Sequence, residues 1–533
     1  MSKQKIVIVG GGSAGWMAAS AMIRYFPTKE ITLVESANIP TIGVGESTTA
    51  AMRHFIKAHL KIEDKDFMTG ADAIFKLSVK FNDFYHLGDG GFHYPFGKPL
   101  LDNLGNSGIE AWSIVKHYNK ELSKDDFTQS YFPAYELFTN NKISENANGE
   151  FDNFDFLTDA GYHLDANKLG VFLRDKYCIP RGVTNIVSDV LNINLDSKGF
   201  VKNLELSNGS ILDGDLFIDC TGFRSKLLGN TMQSKFIDLS HKLPNNRAWA
   251  TPIQYKDVYK EMTPFTTSTA LKNGWAWYTP IASRIGNGYA YCDKYTTPED
   301  ALSEFKEYLA SDKVPIKLSK EEIDKLPFFE IKMQAGYRQE AWIKNVVGIG
   351  LAQGFLEPLE GTGLFFIIES ILQLVKMLGR KDVNQLLIDA YNLNMKDMTE
   401  SWVDILSVLY AQTIREDSEY WFDIKYKKFD KELLEVDAVK SYVGIRSNLP
   451  RMTRDHSSQF TNYDAYTAFA HGCEFSFDVD DQVMDRWGLW DSRRVSYTEL
   501  SKQFDTVFKH RKYRWSMNAK KEMHVYDYMK KHH

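Results

Sequence analysis

Three glycines, one glutamate and two lysines are the residues of this 533-residue chain whose types and spacing point to chemistry. Gly10, Gly12 and Gly15 form a G-x-G-x-x-G that encloses Ser13 and Ala14. Gly10 would permit a tight turn, and Gly12 would let backbone approach a pyrophosphate. Gly15 would let a helix pack close, its N-terminus facing the negative charge. Glu35, 20 residues after Gly15, would accept hydrogen bonds from ribose hydroxyls and repel a 2′-phosphate. Lys76 and Lys80 lie in the run IFKLSVKF, residues 74–81. Alternation places Lys76, Ser78 and Lys80 on one face of an extended segment, with Phe75, Leu77, Val79 and Phe81 on the other. A neighbouring cation and burial both lower a lysine's pKa, and the uncharged amine is a nucleophile. Taken alone, the same pattern also describes an exposed strand face with two solvated lysines.

These residues need elements to hold them. The apolar run 5–9 reads as a buried parallel strand, residues 16–25 as a helix, and 31–34 as a second strand ending at Glu35. Asp215–Phe223 reads as a further strand running into a glycine turn. Asn345–Gly354 repeats that pattern and brings Gly350 and Leu351 to its end. Three visits to one sheet, separated by long insertions, suit an extended FAD better than a single NAD domain. The expected fold is α/β: a Rossmann-like FAD-binding fold of the monooxygenase type, with an inserted substrate β-sheet region and a mostly helical C-terminal region. The FAD module would span 1–380 discontinuously, with substrate-facing inserts at about 76–150 and 235–335, and residues 381–533 would cover the substrate. Trp275 and Trp277, two apart, would face one side of a strand.

Composition narrows the function classes. The net charge of −6 and scattered basic residues argue against nucleic acid. Cys178, Cys220, Cys292 and Cys473 show no CxxC or CxxH spacing, which argues against zinc or a disulfide framework and fits a reducing compartment. The start of the chain is too short for a signal h-region, and Glu369 and Gln373 interrupt the longest apolar stretch, 363–378. A cytoplasmic protein with no membrane span is expected. An aromatic content of 14% describes a large aromatic core or a cleft for flat ligands, and composition does not choose.

Four stretches in order resemble the flavin-dependent tryptophan halogenases: GGGSAGWMAA at 10–19, GVGEST at 43–48, GWAWYTP at 274–280 and GFLEPLEGTG at 354–363. The third resembles the family's W-x-W-x-I-P signature, with Thr279 in place of isoleucine. The resemblance implies FADH2 supplied by a separate flavin reductase, with dioxygen and a halide ion as co-substrates. Hypohalous acid would pass through a tunnel to a lysine beside a small aromatic substrate. The pattern F-K-x-x-x-K-F would make that catalytic lysine Lys80, with Glu360 stabilising the ring cation or taking its proton. Gly45, Glu46 and Ser47 would contact the flavin. Thr362 and Gly363, at a helix start, would bind the halide. Trp275 and Trp277 would separate flavin from substrate, and Glu357 would be structural.

Three departures touch the substrate end. Gly361 stands where serine is usual, which would open space beside Glu360 and favour bromide or iodide. Tyr94-Pro95-Phe96 replaces His-Pro-Phe. In 415–421, Glu416 would pair with an ammonium while Tyr420 and Trp421 sandwich an indole, but Leu409-Tyr410 replaces paired tyrosines. The expected substrate is therefore an indole or other electron-rich aromatic rather than free tryptophan specifically. Beyond residue 425 the resemblance fades into helical runs with Trp487, Trp490 and Trp515 and a charged tail, expected to be solvated or frayed. A homo-oligomer is compatible with the sequence. The rival readings are a flavin monooxygenase of the same fold, a flavin-binding protein without turnover, and an oxidoreductase that reduces its own flavin. No second G-x-G-x-x-G supports the last.

Overall fold

Short apolar runs bounded by glycines build the central layer. The computed structural model describes residues 4–38, 43, 45–97, 99–100, 109–119, 121–144, 149–152, 154–380, 382–427, 472–473 and 496–532. Strand β1 (Lys5–Val9), helix α1 (Ser13–Tyr25) and strand β2 (Glu30–Glu35) follow one another as the glycine spacing predicts. The helix starts three residues earlier than expected, because Gly12 is extended and already serves as its N-cap. β1 and β2 pair in parallel, and Leu216–Asp219 and Val346–Gly348 join them in parallel on the other side. The resulting six-stranded sheet holds all three predicted visits. Ile6, Val7, Ile8 and Leu33 are at most 1% exposed, consistent with a sheet covered on both faces.

Four short strands then divide between two other sheets. β3 (Glu46–Ser47) and β4 (Ile74–Lys76) flank Gly161–Leu164 in a three-stranded sheet. β5 (Ser78–Asn82) and β6 (Phe92–Pro95) form one edge of a seven-stranded sheet with Phe265–Ala270, Gly274–Pro280, Ile285–Tyr291, Arg247–Ile253 and Phe329–Lys332. The far half of that sheet buries Tyr278, Tyr289 and Tyr291 with Phe305 of the helix Pro298–Ala310.

The C-terminal part is mostly helical where it is described, with helices Gln385–Ala411, Glu419–Lys427, Tyr497–Ala519 and Val525–His532. Trp487 and Trp490 lie outside the described residues. Of the two expectations for the charged tail, a solvated face or a frayed end, fraying does not hold, because the tail is docked. Met523–His524 pairs with Lys142–Ile143, and the last helix buries Val525, Tyr528 and Met529. Those three positions form one helical stripe, so the charges occupy the other face, and Tyr528 packs 5.5 Å from the Phe75 ring. The four cysteines are buried. Among the described residues, no helix is long and apolar enough to cross a membrane, and no side-chain cluster could hold a metal.

Candidate active site

A cavity of about 910 Å³ opens at the ends of the central strands, within the range of small-molecule and cofactor sites. All three sheet visits line it, through Gly10–Ala14, Cys220–Arg224 and Ile349–Leu351. Gly10 has φ +117°, and a Cβ there would meet the Cys220 carbonyl oxygen at 2.2 Å. Gly15 does not touch the cavity. A Cβ on it would lie 1.8 Å from the Gly10 carbonyl oxygen, so this glycine lets α1 press against the turn. Glu35 lines the cavity and accepts a hydrogen bond from Asn185 Nδ2 at 2.9 Å. Its carboxylate occupies the space that a side chain at residue 11 would need. A glycine cradle, a helix N-terminus and a strand-end carboxylate suit the nucleotide half of FAD. The cavity runs on past Gly45, Glu46 and Ser47 to Trp275, Trp277 and Gly361, as a longer cofactor requires.

The chain breaks between the two lysines. Leu77 N–H donates to the Pro264 carbonyl at 2.7 Å, and its own carbonyl accepts from Phe96 N–H at 2.8 Å. β4 and β5 thereby enter different sheets, so Lys76 and Lys80 do not share one strand face. Lys80 stands in register with His93 and Thr267. The neighbouring row runs Phe92, Phe81, Ser268, Trp277, and adjacent residues point to opposite sides. Ser268, Trp275 and Trp277 line the cavity, so Lys80 points away from it. Its charge acts instead on His93, whose pKa burial and Lys80 together hold well below the usual value, and on Asp125.

Lys76 is the lysine bonded to a residue that lines the cavity. Its side chain is buried, Nζ donates to Ser47 Oγ at 2.7 Å, and the same atom lies 4.6 Å from the centre of the Phe96 ring. Ser47 Oγ also accepts from Thr266 Oγ1 at 2.9 Å, and both residues line the cavity.

The segment after Leu356 packs against this point. Glu357 is 1% exposed, and its Oε1 accepts from Asn245 Nδ2, Trp275 Nε1 and Tyr410 OH. Burial pushes this carboxyl up. It anchors Trp275, whose ring centre is 5.9 Å from that of Trp277. Glu360 ends the turn Pro358–Glu360; its side chain lies outside the described residues. Gly361, at φ +70°, caps the helix Thr362–Leu378. The Thr362 hydroxyl does not cap the helix but donates to the Glu357 carbonyl at 3.3 Å. Gly361 and Gly363 line the cavity, so the free N–H groups of the first turn sit beside it. The space expected at Gly361 is absent. A Cβ there would meet the Ser47 carbonyl oxygen at 2.5 Å, so the flavin-side loop fills it, and no preference for a larger halide follows.

The family model for tryptophan halogenases matches residues 5–487. This chain belongs to the tryptophan halogenase family. It is 33% identical over 457 residues to the 7-chloro-L-tryptophan 6-halogenase KtzR of Kutzneria sp. (strain 744), covering 81% of this chain and 83% of that one. The tryptophan 6-halogenase ThaL of Streptomyces albogriseolus is 30% identical, covering 86% and 85%. The crystal structure of a tryptophan 6-halogenase (SttH) from Streptomyces toxytricini superimposes with a TM-score of 0.83 at 28% identity, covering 99% of each chain. The protein is a flavin-dependent halogenase with a Rossmann-like FAD-binding fold.

In this halogenase Tyr420 and Trp421 of the segment 415–421 are packed into the core rather than held open as a clamp. Tyr420 and Trp421 are both 0% exposed, with ring centres 5.0 Å apart and planes at 87°. No indole fits between them. Tyr420 OH donates to Asn245 Oδ1 at 3.1 Å, and Trp421 Nε1 to the Leu271 carbonyl at 2.7 Å. Glu416 is exposed and paired with Lys425 at 2.7 Å. Tyr94 and Pro95 lie on β6, and Phe96 follows them beside Lys76. Sequence reasoning missed Asn245, Thr266 and His163. Each bonds to site residues more than 100 positions away, and no local pattern announces such a contact.

Proposed function

We propose that this halogenase modifies an indole-bearing or comparably electron-rich small aromatic, with Lys76 in the role expected of Lys80. One observation carries the lysine assignment: Lys76 Nζ is tied to Ser47 on the cavity wall and lies over Phe96. That position lies between the flavin side and the expected substrate side. The activities of the relatives, a 7-chloro-L-tryptophan 6-halogenase and a tryptophan 6-halogenase, support an indole ring as the acceptor.

FADH2 from a separate flavin reductase would, with dioxygen and halide, supply hypohalous acid. Gly10, Gly12, Ser13 and Ala14 would hold the pyrophosphate, Glu35 the ribose, and Gly45–Ser47, Gly350 and Leu351 the flavin side. The N-terminal turn at Thr362 and Gly363 would seat the halide. Lys76 Nζ receives the oxidised halogen and presents it to the ring. Glu360, on the turn packed against Ser47, takes the proton that the ring loses, which is general-base work. Trp275, fixed by Glu357, and Trp277 close the cavity on the ring side.

Mass spectrometry of reactions containing bromide, oxygen, a flavin reductase and an indole panel tests this reading. Lys76→Ala is expected to lose brominated product by about 100-fold or more, and Lys80→Ala to keep it. The reverse result would return the role to Lys80. Oxygenated product from wild type would replace halogenation with monooxygenation.

A further inference from the structure

The lysine assignment leaves one buried imidazole without a task. His163, 0% exposed, lies on the strand between those of Ser47 and Lys76. Its Nε2 is 2.8 Å from Thr266 Oγ1, and Thr266 Oγ1 donates to Ser47 Oγ at 2.9 Å. Ser47 Oγ also accepts from Lys76 Nζ at 2.7 Å. The chain His163, Thr266, Ser47, Lys76 thus crosses the junction of the three-stranded and seven-stranded sheets. Burial first, and then the Lys76 charge, hold the His163 pKa well below its usual value. The ring is therefore neutral near pH 7 and adds no second positive charge beside the amine. A hydroxyl offers two lone pairs and one hydrogen. In the tautomer in which His163 Nε2–H donates to Thr266 Oγ1, Thr266 and Lys76 engage both lone pairs of Ser47, so its hydrogen is left for an acceptor in the cavity that Ser47 lines.

We propose that Ser47 is a catalytic residue, shuttling a proton from Lys76 to the oxygen of hypohalous acid, with Thr266 and His163 as the positioning residues that keep it turned that way. The proposal rests on the lysine reading above. Lys76 enters the step as the neutral amine, its ammonium proton having first been lost to solvent; the Nζ lone pair then attacks the halogen X of HO–X, the N–X bond forms and the X–O bond breaks. The Ser47 hydrogen goes to the departing oxygen, which leaves as water, and Ser47 Oγ takes up the hydrogen that Nζ sheds. Amine and hypohalous acid become haloamine and water, and Ser47 ends as it began. Without the shuttle, hydroxide and a halogenated ammonium would form as separate charges at a buried site, which is costly.

The test is a partition ratio: halogenated indole formed per hypohalous acid escaping to a monochlorodimedone trap. This ratio does not depend on how much FAD is bound. Ser47→Ala is expected to lower it by about 100-fold, and Ser47→Thr, which keeps the hydroxyl, to hold it near wild type. Heavy water should lower the wild-type ratio and leave that of Ser47→Ala unchanged. A wild-type ratio in Ser47→Ala would overturn the shuttle. Should Ser47→Ala make neither product nor hypohalous acid, Thr266→Val decides, because it leaves Ser47 in place and frees one of its lone pairs. A lower ratio there supports the proposal, and an unchanged one overturns it. Lys76→Ala run alongside separates the two readings. Product retained in that variant defeats the lysine assignment, whereas product lost there but retained in Ser47→Ala defeats only the shuttle.

Discussion

Gly361 shows how one side chain, or its lack, sets the spacing of two loops. Its φ of +70° lies in the left-handed region, and Ser47 backbone sits where its Cβ would be. Gly361→Ser combines that backbone cost with a contact no real Cβ shows. We expect a stability loss of about 1–3 kcal/mol, measured by urea titration, together with weaker FAD binding because Ser47 must retreat along the cavity wall. A variant as stable as wild type with unchanged FAD affinity would mean that the loop has room to spare. At this scale the sequence carried the chemistry of the residue but not its surroundings. Glycine read as missing bulk suggested a wider site, and only the neighbour 314 positions earlier decides that the bulk had nowhere to go.

At the scale of elements, the helix Thr362–Leu378 carries both the anion-facing turn and a misplaced charge. Glu369 is 9% exposed on its buried face, and burial pushes its carboxyl from about 4.5 up to about 6. The folded-state pKa is raised, so the protonated form stabilises the fold fully below about pH 4.5, and that contribution is lost as pH rises through about 6. Above that, ionised Glu369 costs on the order of 2 kcal/mol. Glu369→Gln should therefore be more stable than wild type by that order at pH 8 and no more stable at pH 4, read from denaturant midpoints. An equal gain at both pH values would rule out ionisation as the cause. The break at Leu77 belongs to this scale too. Lys76 and Lys80 look equivalent as a repeat of four, yet two backbone hydrogen bonds, to Pro264 and Phe96, send their strands into different sheets.

The whole molecule is held around a cavity that no single segment could form. Its walls come from residues as far apart as Val9 and Thr399, so a ligand there binds only the folded chain. FAD at 100 times its dissociation constant should stabilise the fold by about 2.7 kcal/mol, seen as a rise in melting temperature that grows with FAD concentration. No rise with FAD, or an equal rise with NAD alone, would remove the cavity as the flavin site. The docked C-terminal helix adds to this closure, since Tyr528 packs on the Phe75 ring one residue before Lys76.

The sequence by itself determined the strand–glycine–helix unit, the three returns to the central sheet and the family. Glycine φ freedom, apolar period and motif order are local properties that survive without knowledge of contacts. Tertiary structure alone decided which lysine bonds the cavity-lining Ser47, that Tyr420 and Trp421 are packed core rather than clamp, and that the tail docks. Each depends on partners far along the chain. β5 pairs with Phe265–Ala270, Trp421 bonds Leu271, and His524 pairs with Lys142. A strand's own residues say which faces it has. Only its pairing partners say which face meets the site.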